Sequence, residues 1–465
     1  MLFNSIPFLF FIVLFFGVWL KLRRHETSRW VWICLMSFLF YGWWDWRFLF
    51  LLIGTGSIDY FCGKAIVNQQ HKKFYLWFSV VSNIGSLLLF KYSALIAGSI
   101  DQLLHVAGID SRLEASIPAF TLVLPVGISF YTFNSLSYTI DLYRGKSKPA
   151  DSWLHFMAFI AFFPHLVAGP IIRARDILTQ LKRQPQVDTL SIYNGIRTIA
   201  FGFFQKMVLA DNLAVFVNAG FNQVDNSIGT LQWWVCMLAF TFQIYFDFNG
   251  YSSIARGIAK LCGIHFRLNF SHPYRAISFS DFWRRWHISL SSFFRDYVYI
   301  PLGGNRKGRF RSILNQWITM LLSGLWHGAS WVFVLWGALH AFYLSIERFL
   351  SKYTPLFVKS RLWSIFVFIG VVLAWVLFRA SSLSDAAHIY KQMLSWNSGA
   401  SIAEILKSNV TVWLLLGMTL EWGSARQLPR WIRSSAIIQA ALVALMLVML
   451  LLFRGPEQQF IYFQF

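Results

Sequence analysis

Residues 1–20, MLFNSIPFLFFIVLFFGVWL, contain no lysine or arginine and are apolar almost throughout. About 17 to 20 such residues are enough for a helix to cross the hydrocarbon layer of a membrane. The run lacks a small-residue cleavage site, so we expect a retained first span rather than a removed signal peptide. Comparable apolar runs recur along all 465 residues, which predicts an all-α, polytopic membrane protein.

The composition supports the same fold class. Hydrophobic residues make up 57% of the chain and charged residues only 13%. A soluble protein with so few charged residues could not cover its surface with polar groups. The net charge of +21 is typical of basic loops retained on the cytoplasmic side of a membrane, and we expect no binding of nucleic acid.

The apolar runs predict about ten or eleven membrane crossings, with additional re-entrant and amphipathic helices. Loops around residues 21–29, 64–73 and 144–148 are rich in lysine and arginine, so these loops should be cytoplasmic and the N-terminus periplasmic. The predicted helices cover residues 6–22, 30–44, 47–63, 74–97, 118–140, 153–172, 192–218, 230–250, 313–325, 330–350, 362–379, 408–422 and 434–453.

We expect one integral-membrane domain over residues 1–465, with a distinct section in its middle. Spans to residue 250 precede a charged, aromatic-rich cytoplasmic segment, 251–312, and further spans fill 313–465. Within that segment Ser280 is a suitable N-cap for an interfacial amphipathic helix, which the turn residues of PLGGNR at 301–306 would end. The alternative is a basic loop carrying aromatic residues of the membrane interface.

His327 lies between two long apolar stretches, in LLSGLWHGAS at residues 321–330. Ionisable residues inside apolar spans are costly and usually functional. Gly324 and Gly328 would let a substrate or another backbone approach closely. Because imidazole accepts a proton from a hydroxyl near neutral pH, His327 suits a general base; a packing histidine hydrogen-bonded between helices is the alternative.

The other polar residues in the spans favour structural interpretations. If one helix carried both, His340 would not share a face with His327, but it shares one with Glu347, which predicts a structural polar contact. Asp247 ends an apolar run and is either an interface anchor or a buried ion-pair partner for the arginines of 275–295. Ser323 has no nucleophile-elbow motif around it, so an acyl-serine intermediate is not favoured.

The cysteines form no CxxC pair, and the sequence suggests no metal site. Three of the four lie in apolar runs, which predicts reduced or buried thiols without a redox role. The three in apolar runs are Cys34, Cys62 and Cys236, and the fourth is Cys262.

Four blocks carry a family resemblance: LPVGISFYTF at 124–133, FPHLVAGPI at 163–171, QIYFDFNGY at 243–251 continuing through DFWRRWHISLSSFFRDYVYIPLGG at 281–304, and SGLWHGA at 323–329. On these blocks the chain resembles the membrane-bound O-acyltransferase family, specifically its bacterial branch that acetylates alginate. The final FIYFQF, 460–465, also looks like that branch. The resemblance covers nearly the whole chain.

The resemblance implies a helical funnel leading into a tunnel through the bacterial inner membrane. His327 of the WHG element and His287 of the RRWH element would meet inside it as the catalytic pair, His327 as general base and His287 orienting the acceptor or stabilising charge. The implied donor is a cytoplasmic thioester, acetyl-CoA, with no bound cofactor. Tentative substrate-binding residues are Arg284, Arg285, Arg295, Ser323 and Trp326.

The resemblance also implies partners in the envelope and leaves alternatives open. A periplasmic acetyltransferase of the SGNH, serine-hydrolase-like type would receive the acetyl group and modify alginate or a similar exopolysaccharide beside the export machinery. D-alanyl transfer to teichoic acid and acylation of peptidoglycan are related alternatives. From other classes, a transporter without covalent chemistry or a scaffold for the periplasmic transferase also fits buried histidines and arginines.

Overall fold

A computed structural model describes the chain except for residues 69–70, 168, 225–227, 359, 398, 400, 424–434 and 464–465. Ala168, Ser434, Gln464 and Phe465, which belong to segments singled out in the sequence, lie outside the described residues. The part of the chain that is described contains helices and no β-strand, which confirms the all-α class. It forms two compact units, one of Met1–Ile196 with Ala255–Arg267 and one of Arg197–Ile254 with Leu268–Phe465.

The first unit is organised around a buried polar network between three of its helices. The Asp59 carboxylate, 0% exposed, accepts hydrogen bonds from Ser79 Oγ at 2.6 Å, Asn83 Nδ2 at 2.8 Å and Ser135 Oγ. Burial of a carboxylate is tolerated when hydrogen bonds replace its water. The helices of this unit are α1 Ile6–Leu22, α2 Glu26–Asp45, α3 Arg47–Val67, α4 Lys72–Leu87, α5 Ser93–Val106, α6 Ala119–Leu122, α7 Ile128–Tyr143, α8 Trp153–Ile160, α9 Phe163–Leu166 and α10 Ala174–Lys182.

The second unit contains the long apolar helices of the C-terminal half. Two helices, α11 Thr189–Phe203 and α13 Thr230–Leu261, contribute residues to both units. Segments of π-helix interrupt the α-helices at Leu88–Tyr92, Phe204–Ala210 and Arg295–Tyr299, and 3₁₀ turns lie at Glu114–Ser116, Pro273–Arg275 and Ile461–Phe463. The remaining helices are α12 Asp211–Phe221, α14 Phe279–Arg285, α15 Ile288–Phe294, α16 Gly308–His327, α17 Trp331–Tyr353, α18 Pro355–Val358, α19 Arg361–Arg379, α20 Leu383–Leu394, α21 Ile402–Lys407, α22 Asn409–Gly423 and α23 Ala436–Leu452.

Five helical segments among the described residues are long and apolar enough to cross a membrane. Two further apolar helices, α1 and α23, have 17 residues each. Repeated apolar helices of this kind are expected of a polytopic membrane protein, whereas the count of ten or eleven crossings stays a prediction. The five segments are Arg47–Val67, Lys72–Val106, Thr189–Phe221, Trp331–Tyr353 and Arg361–Arg379.

Two of the predicted helices are wrong in their continuity. The predicted helix 118–140 is interrupted after Leu122, and α7 begins only after Gly127, whose φ of +76° is a left-handed conformation. A Cβ at Gly127 would collide with the carbonyl oxygen of Leu166, so the glycine is needed for close packing as well. The predicted helix 153–172 is divided into α8 and α9, because Pro164 starts a new helical turn rather than continuing the first.

Candidate functional site

His287 lies at a break between two short helices, α14 and α15, and is completely buried. Its φ of +41° places a non-glycine residue in the left-handed region. The expectation of one amphipathic helix starting from Ser280 is therefore wrong: the N-cap is Ser278, whose Oγ accepts from the Asp281 amide at 2.9 Å, and α14 ends at Arg285. Backbone of this kind persists where its surroundings hold it, and it concentrates at functional sites.

Asn269 holds the His287 ring in one orientation. Its Oδ1 accepts from the Ser289 backbone N–H at 3.2 Å and lies 3.2 Å from Nδ1 of His287. Since that amide atom accepts from a backbone N–H, it is an oxygen, and Nδ1 of His287 must be the donor. Nε2 then carries the lone pair, and it has no hydrogen-bond partner among the described residues. Burial lowers the pKa of His287 to about 3, so the imidazole is neutral at physiological pH.

His327 is the last residue of α16 and is 3% exposed. Gly324, three residues before His327, faces the backbone of α17, because an added Cβ would collide with the carbonyl oxygen of Phe333. At Gly328 an added Cβ would collide with the Phe333 ring. The close approach of another backbone, one of the two expected roles, is therefore found at Gly324, and the Phe333 side chain packs against Gly328.

The two histidines predicted to meet do lie together, although 40 residues separate them in the chain. Their ring centroids are 6.4 Å apart at an angle of 62°. Trp326 contacts both rings, with centroid distances of 5.8 Å to His287 and 5.0 Å to His327. Ser323 is buried one helical turn before His327. This places four of the seven predicted site residues, His287, His327, Trp326 and Ser323, in one region of the second unit.

Tyr462, on the C-terminal segment, completes the group of rings around the histidine pair. Its ring centroid lies 5.6 Å from that of His327, 6.4 Å from that of His287 and 4.5 Å from that of Phe248. The phenol oxygen is buried and has no hydrogen-bond partner among the described residues. The arrangement therefore places a tyrosine ring beside two imidazole rings in an aromatic enclosure.

Sequence reasoning missed both Asn269 and Tyr462 as members of the site. Asn269 stands in a run of ordinary polar and aromatic residues, and nothing in its spacing points to His287. Tyr462 belongs to the C-terminal block that contributed to the family resemblance, which was the one available signal for it. Both residues reach the histidines through folding of segments distant in the chain.

His340 belongs to the helix that follows His327 in the chain. His327 and His340 do not share one helix, because α16 ends at His327 and His340 belongs to α17. Both rings nevertheless contact Trp336, with centroids 5.0 Å from His327 and 4.7 Å from His340. The polar contact expected between His340 and Glu347 is absent: neither nitrogen of His340 has a hydrogen-bond partner among the described residues, and Glu347 accepts instead from the backbone amides of Phe279 and Ser280 at 2.5 and 3.1 Å.

The three arginines proposed for the donor lie on the surface of this segment rather than beside the histidines. Arg284 and Arg295 are exposed, and Arg285 is half-buried. Two of them already have acidic partners: Arg285 Nε lies 2.8 Å from Asp281 Oδ2, and Arg295 Nε lies 2.7 Å from Asp296 Oδ1. A phosphate would have to compete with these carboxylates.

Asp247 is a buried ion-pair partner, but not for the arginines of 275–295. Its Oδ1 lies 2.7 Å from Nζ of Lys206, which also lies 2.8 Å from Oδ1 of Asp211. All three side chains are at most 3% exposed.

The four cysteines are buried and form no disulfide, as expected from the sequence. No group of three or more potential metal ligands occurs within the described parts of the chain.

The chain is similar to known proteins over most of its length. The model of the membrane-bound O-acyltransferase family matches residues 150–384. The chain is 38% identical to the "Probable alginate O-acetylase AlgI" of Pseudomonas aeruginosa over 417 residues, 88% of this chain and 78% of that protein. It is 34% identical to the peptidoglycan O-acetyltransferase of Helicobacter pylori, over 81% and 76%. It is 27% identical to the teichoic acid D-alanyltransferase of Bacillus subtilis, over 56% and 69%.

Proposed function

The chain belongs to the membrane-bound O-acyltransferase family, and from that membership we propose that it transfers acetyl groups for O-acetylation of an exported polysaccharide. It is a multi-pass membrane acyltransferase. Alginate or a similar exopolysaccharide is the preferred polymer, because the similarity to alginate O-acetylases covers more of the chain than that to D-alanyltransferases. The observation that carries the proposal is the 6.4 Å approach of the buried His287 and His327 rings.

His327 serves as the general base in this proposal and His287 as the group that orients the hydroxyl. The Tyr462 ring is nearer to His327 than to His287, 5.6 against 6.4 Å. A neutral His287 cannot supply positive charge, which favours the orienting role over charge stabilisation. The single proton of the attacking hydroxyl is donated to His327, so His287 orients the phenol through the position of its ring, which Asn269 holds. Exclusion of water by the surrounding rings would limit hydrolysis of the acetyl donor.

Tyr462 supplies the first acceptor hydroxyl. The imidazole of His327 takes the phenolic proton as the oxygen attacks the thioester carbonyl, and the carbon–sulfur bond breaks. The proton then passes from the imidazolium to the departing thiolate, leaving a free thiol and an acetyl ester on Tyr462. Transfer of that ester to a hydroxyl of a partner protein regenerates the phenol. The support for Tyr462 is its buried hydroxyl without a hydrogen-bond partner among the described residues and the approach of its ring to both imidazoles.

Acetyl-CoA is the donor in this proposal, and a periplasmic serine-hydrolase-like acetyltransferase of the SGNH type is the partner that modifies the polymer during export. The enzyme lies in the inner membrane with its N-terminus in the periplasm and residues 251–312 on the cytoplasmic side. Arg306 is exposed in that segment. A cysteine at position 306 should react with an impermeant thiol reagent only from the cytoplasmic side, and labelling only from the periplasm would contradict the orientation.

The function is tested in membrane vesicles supplied with acetyl-CoA labelled in the acetyl group. We expect thioester consumption that requires the enzyme, and labelled ester on Tyr462 when no periplasmic partner is added. The Tyr462→Phe variant, which lacks only the hydroxyl, should consume no donor above background. Solute flux without thioester consumption would contradict the proposal and favour a transporter. Full consumption by Tyr462→Phe would remove the tyrosine step.

A further inference from the structure

The segment that carries Tyr462 is attached to the second unit by a buried ion cluster formed by Lys206, Asp211 and Asp247. Lys206 lies in the π-helical segment Phe204–Ala210, and insertions of this kind are frequent at functional sites. Its ammonium group has three donors and meets three acceptors. These are Asp247 Oδ1 at 2.7 Å, Asp211 Oδ1 at 2.8 Å and the backbone carbonyl oxygen of Gln458 at 3.2 Å.

The cluster contacts the C-terminal segment at a second point, immediately before the tyrosine. Oδ2 of Asp247 accepts a hydrogen bond from the backbone N–H of Ile461 at 2.8 Å. The ring of Phe248, the residue after Asp247, lies 4.5 Å from the Tyr462 ring. One carboxylate thus binds the residue before Tyr462, while its neighbour in the helix packs against Tyr462 itself.

Further contacts along the same segment fix its register. Asn212 Nδ2 donates to the carbonyl oxygen of Phe453 at 2.9 Å, and the Gly455 N–H donates to that of Met207 at 2.9 Å. A Cβ at Gly455 would come within 2.8 Å of the backbone nitrogen of Asn212. Phe460 is 0% exposed and its ring lies 4.3 Å from that of Tyr251.

We propose that Lys206, through Asp211 and Asp247, is a positioning residue that holds the C-terminal segment so that Tyr462 stays beside His287 and His327. A backbone carbonyl and a backbone N–H bound to one buried cluster determine where the chain runs, independently of the side chains at 458 and 461. Packing of rings alone would leave the segment able to slide. The catalytic part of this inference rests on the proposed function, whereas the attachment of the segment does not.

The test separates attachment from catalysis by using Ile461→Cys as a probe, since Ile461 is 1% exposed and the substitution leaves Tyr462 in place. In the otherwise unchanged chain, a membrane-permeant maleimide should label Cys at 461 slowly. Adding Lys206→Met with Asp211→Asn, which removes one positive and one negative charge together, should raise the labelling rate at least about tenfold, because broken buried pairs are strongly disfavoured. Lys206→Arg in place of those two substitutions keeps a cationic donor, and labelling of the probe should then stay slow.

Two controls distinguish release of the segment from general unfolding. The same charge-removing variant without the probe should stay unlabelled, because the native cysteines are buried. Asp59→Asn alters another buried carboxylate, whose hydrogen bonds are to Ser79, Asn83 and Ser135, and should leave probe labelling unchanged. Unchanged labelling after Lys206→Met with Asp211→Asn would overturn the inference.

Transfer kinetics then test the catalytic part. Without the probe, Lys206→Met with Asp211→Asn should lower the maximal rate of acetyl transfer about tenfold or more, with the half-saturating acetyl-CoA concentration unchanged. A raised labelling rate with a full transfer rate would overturn the positioning role. If the unsubstituted protein consumes no acetyl-CoA, the proposed function fails, and the labelling result still decides whether the cluster holds the segment.

Discussion

His287 and His340 are both 0% exposed, and both lie among tryptophan and phenylalanine rings of the second unit. They differ in backbone conformation and in hydrogen bonding. His287 sits at a helix break with positive φ, and Asn269 holds its Nδ1. His340 lies inside α17, and neither of its nitrogens has a hydrogen-bond partner in the described part of the chain. Burial and aromatic neighbours therefore do not distinguish the two histidines, whereas backbone conformation and the hydrogen bond to Asn269 do.

The difference has an energetic meaning. A non-glycine residue held in a sparsely populated backbone region costs on the order of 1–3 kcal/mol. At His287 the surrounding contacts, including the Ile288 N–H bound to the Asn269 carbonyl oxygen at 2.8 Å, maintain that conformation. At His340 the helix is regular, and the ring fills space between Trp336 and Trp283.

After the complete loss expected when His327 or Tyr462 is replaced, the next largest effect is expected at His287. His287→Ala should lower polysaccharide acetylation about a hundredfold or more, because the attacking hydroxyl would lose the ring that orients it. Acetyl ester on secreted polymer, normalised to membrane protein by immunoblot, measures this. Retained acetylation at normal protein level would remove His287 from the reaction.

A smaller effect is expected when the support of His287 is removed. Asn269→Leu should lower the acetylation rate about ten- to a hundredfold, because the ring loses the acceptor that fixes its tautomer. Ser252→Ala is the matched control: Ser252 contacts Asn269 through the opposite end of the amide, at 3.3 Å from Nδ2, and its loss should cost less. Equal losses in the two variants would mean that the network is structural only.

The smallest effect is expected at the arginines. Arg285→Gln and Arg295→Gln should raise the half-saturating acetyl-CoA concentration about threefold, with the maximal rate unchanged, because screened surface charges contribute little. Arg47→Gln, which removes an exposed arginine paired with Asp45, is the control. An unchanged half-saturating concentration in the two test variants would identify them as interfacial anchors.

The fold class and the approach of His287 to His327 were predictable because they depend on strong patterns. Long apolar runs allow few structures other than membrane helices, and the WHG and RRWH elements carry a family resemblance. Asn269 and Tyr462 were not predictable from local pattern, because each reaches the histidines through a distant segment of the chain. The roles assigned to the two histidines stay predictions.

The errors share a physical cause, which is that tertiary contacts override local periodicity. The helix expected over residues 118–140 is interrupted because Gly127 packs closely against the carbonyl oxygen of Leu166. Asp247 binds Lys206 rather than an arginine, since the π-helical insertion in Phe204–Ala210 places that lysine inside the unit. A π-helix has no distinctive sequence period from which this could be foreseen.

The most direct test replaces each of the two histidines that contact Trp336, His327 and His340, by phenylalanine. His→Phe keeps an aromatic ring and removes the nitrogens, so packing is largely retained. His327→Phe should abolish acetyl transfer from labelled acetyl-CoA at normal membrane abundance, whereas His340→Phe should keep the rate within about threefold, because replacing an unsatisfied buried polar group by an apolar one is nearly neutral. Full transfer by His327→Phe, or equal loss in both variants at normal abundance, would contradict the account.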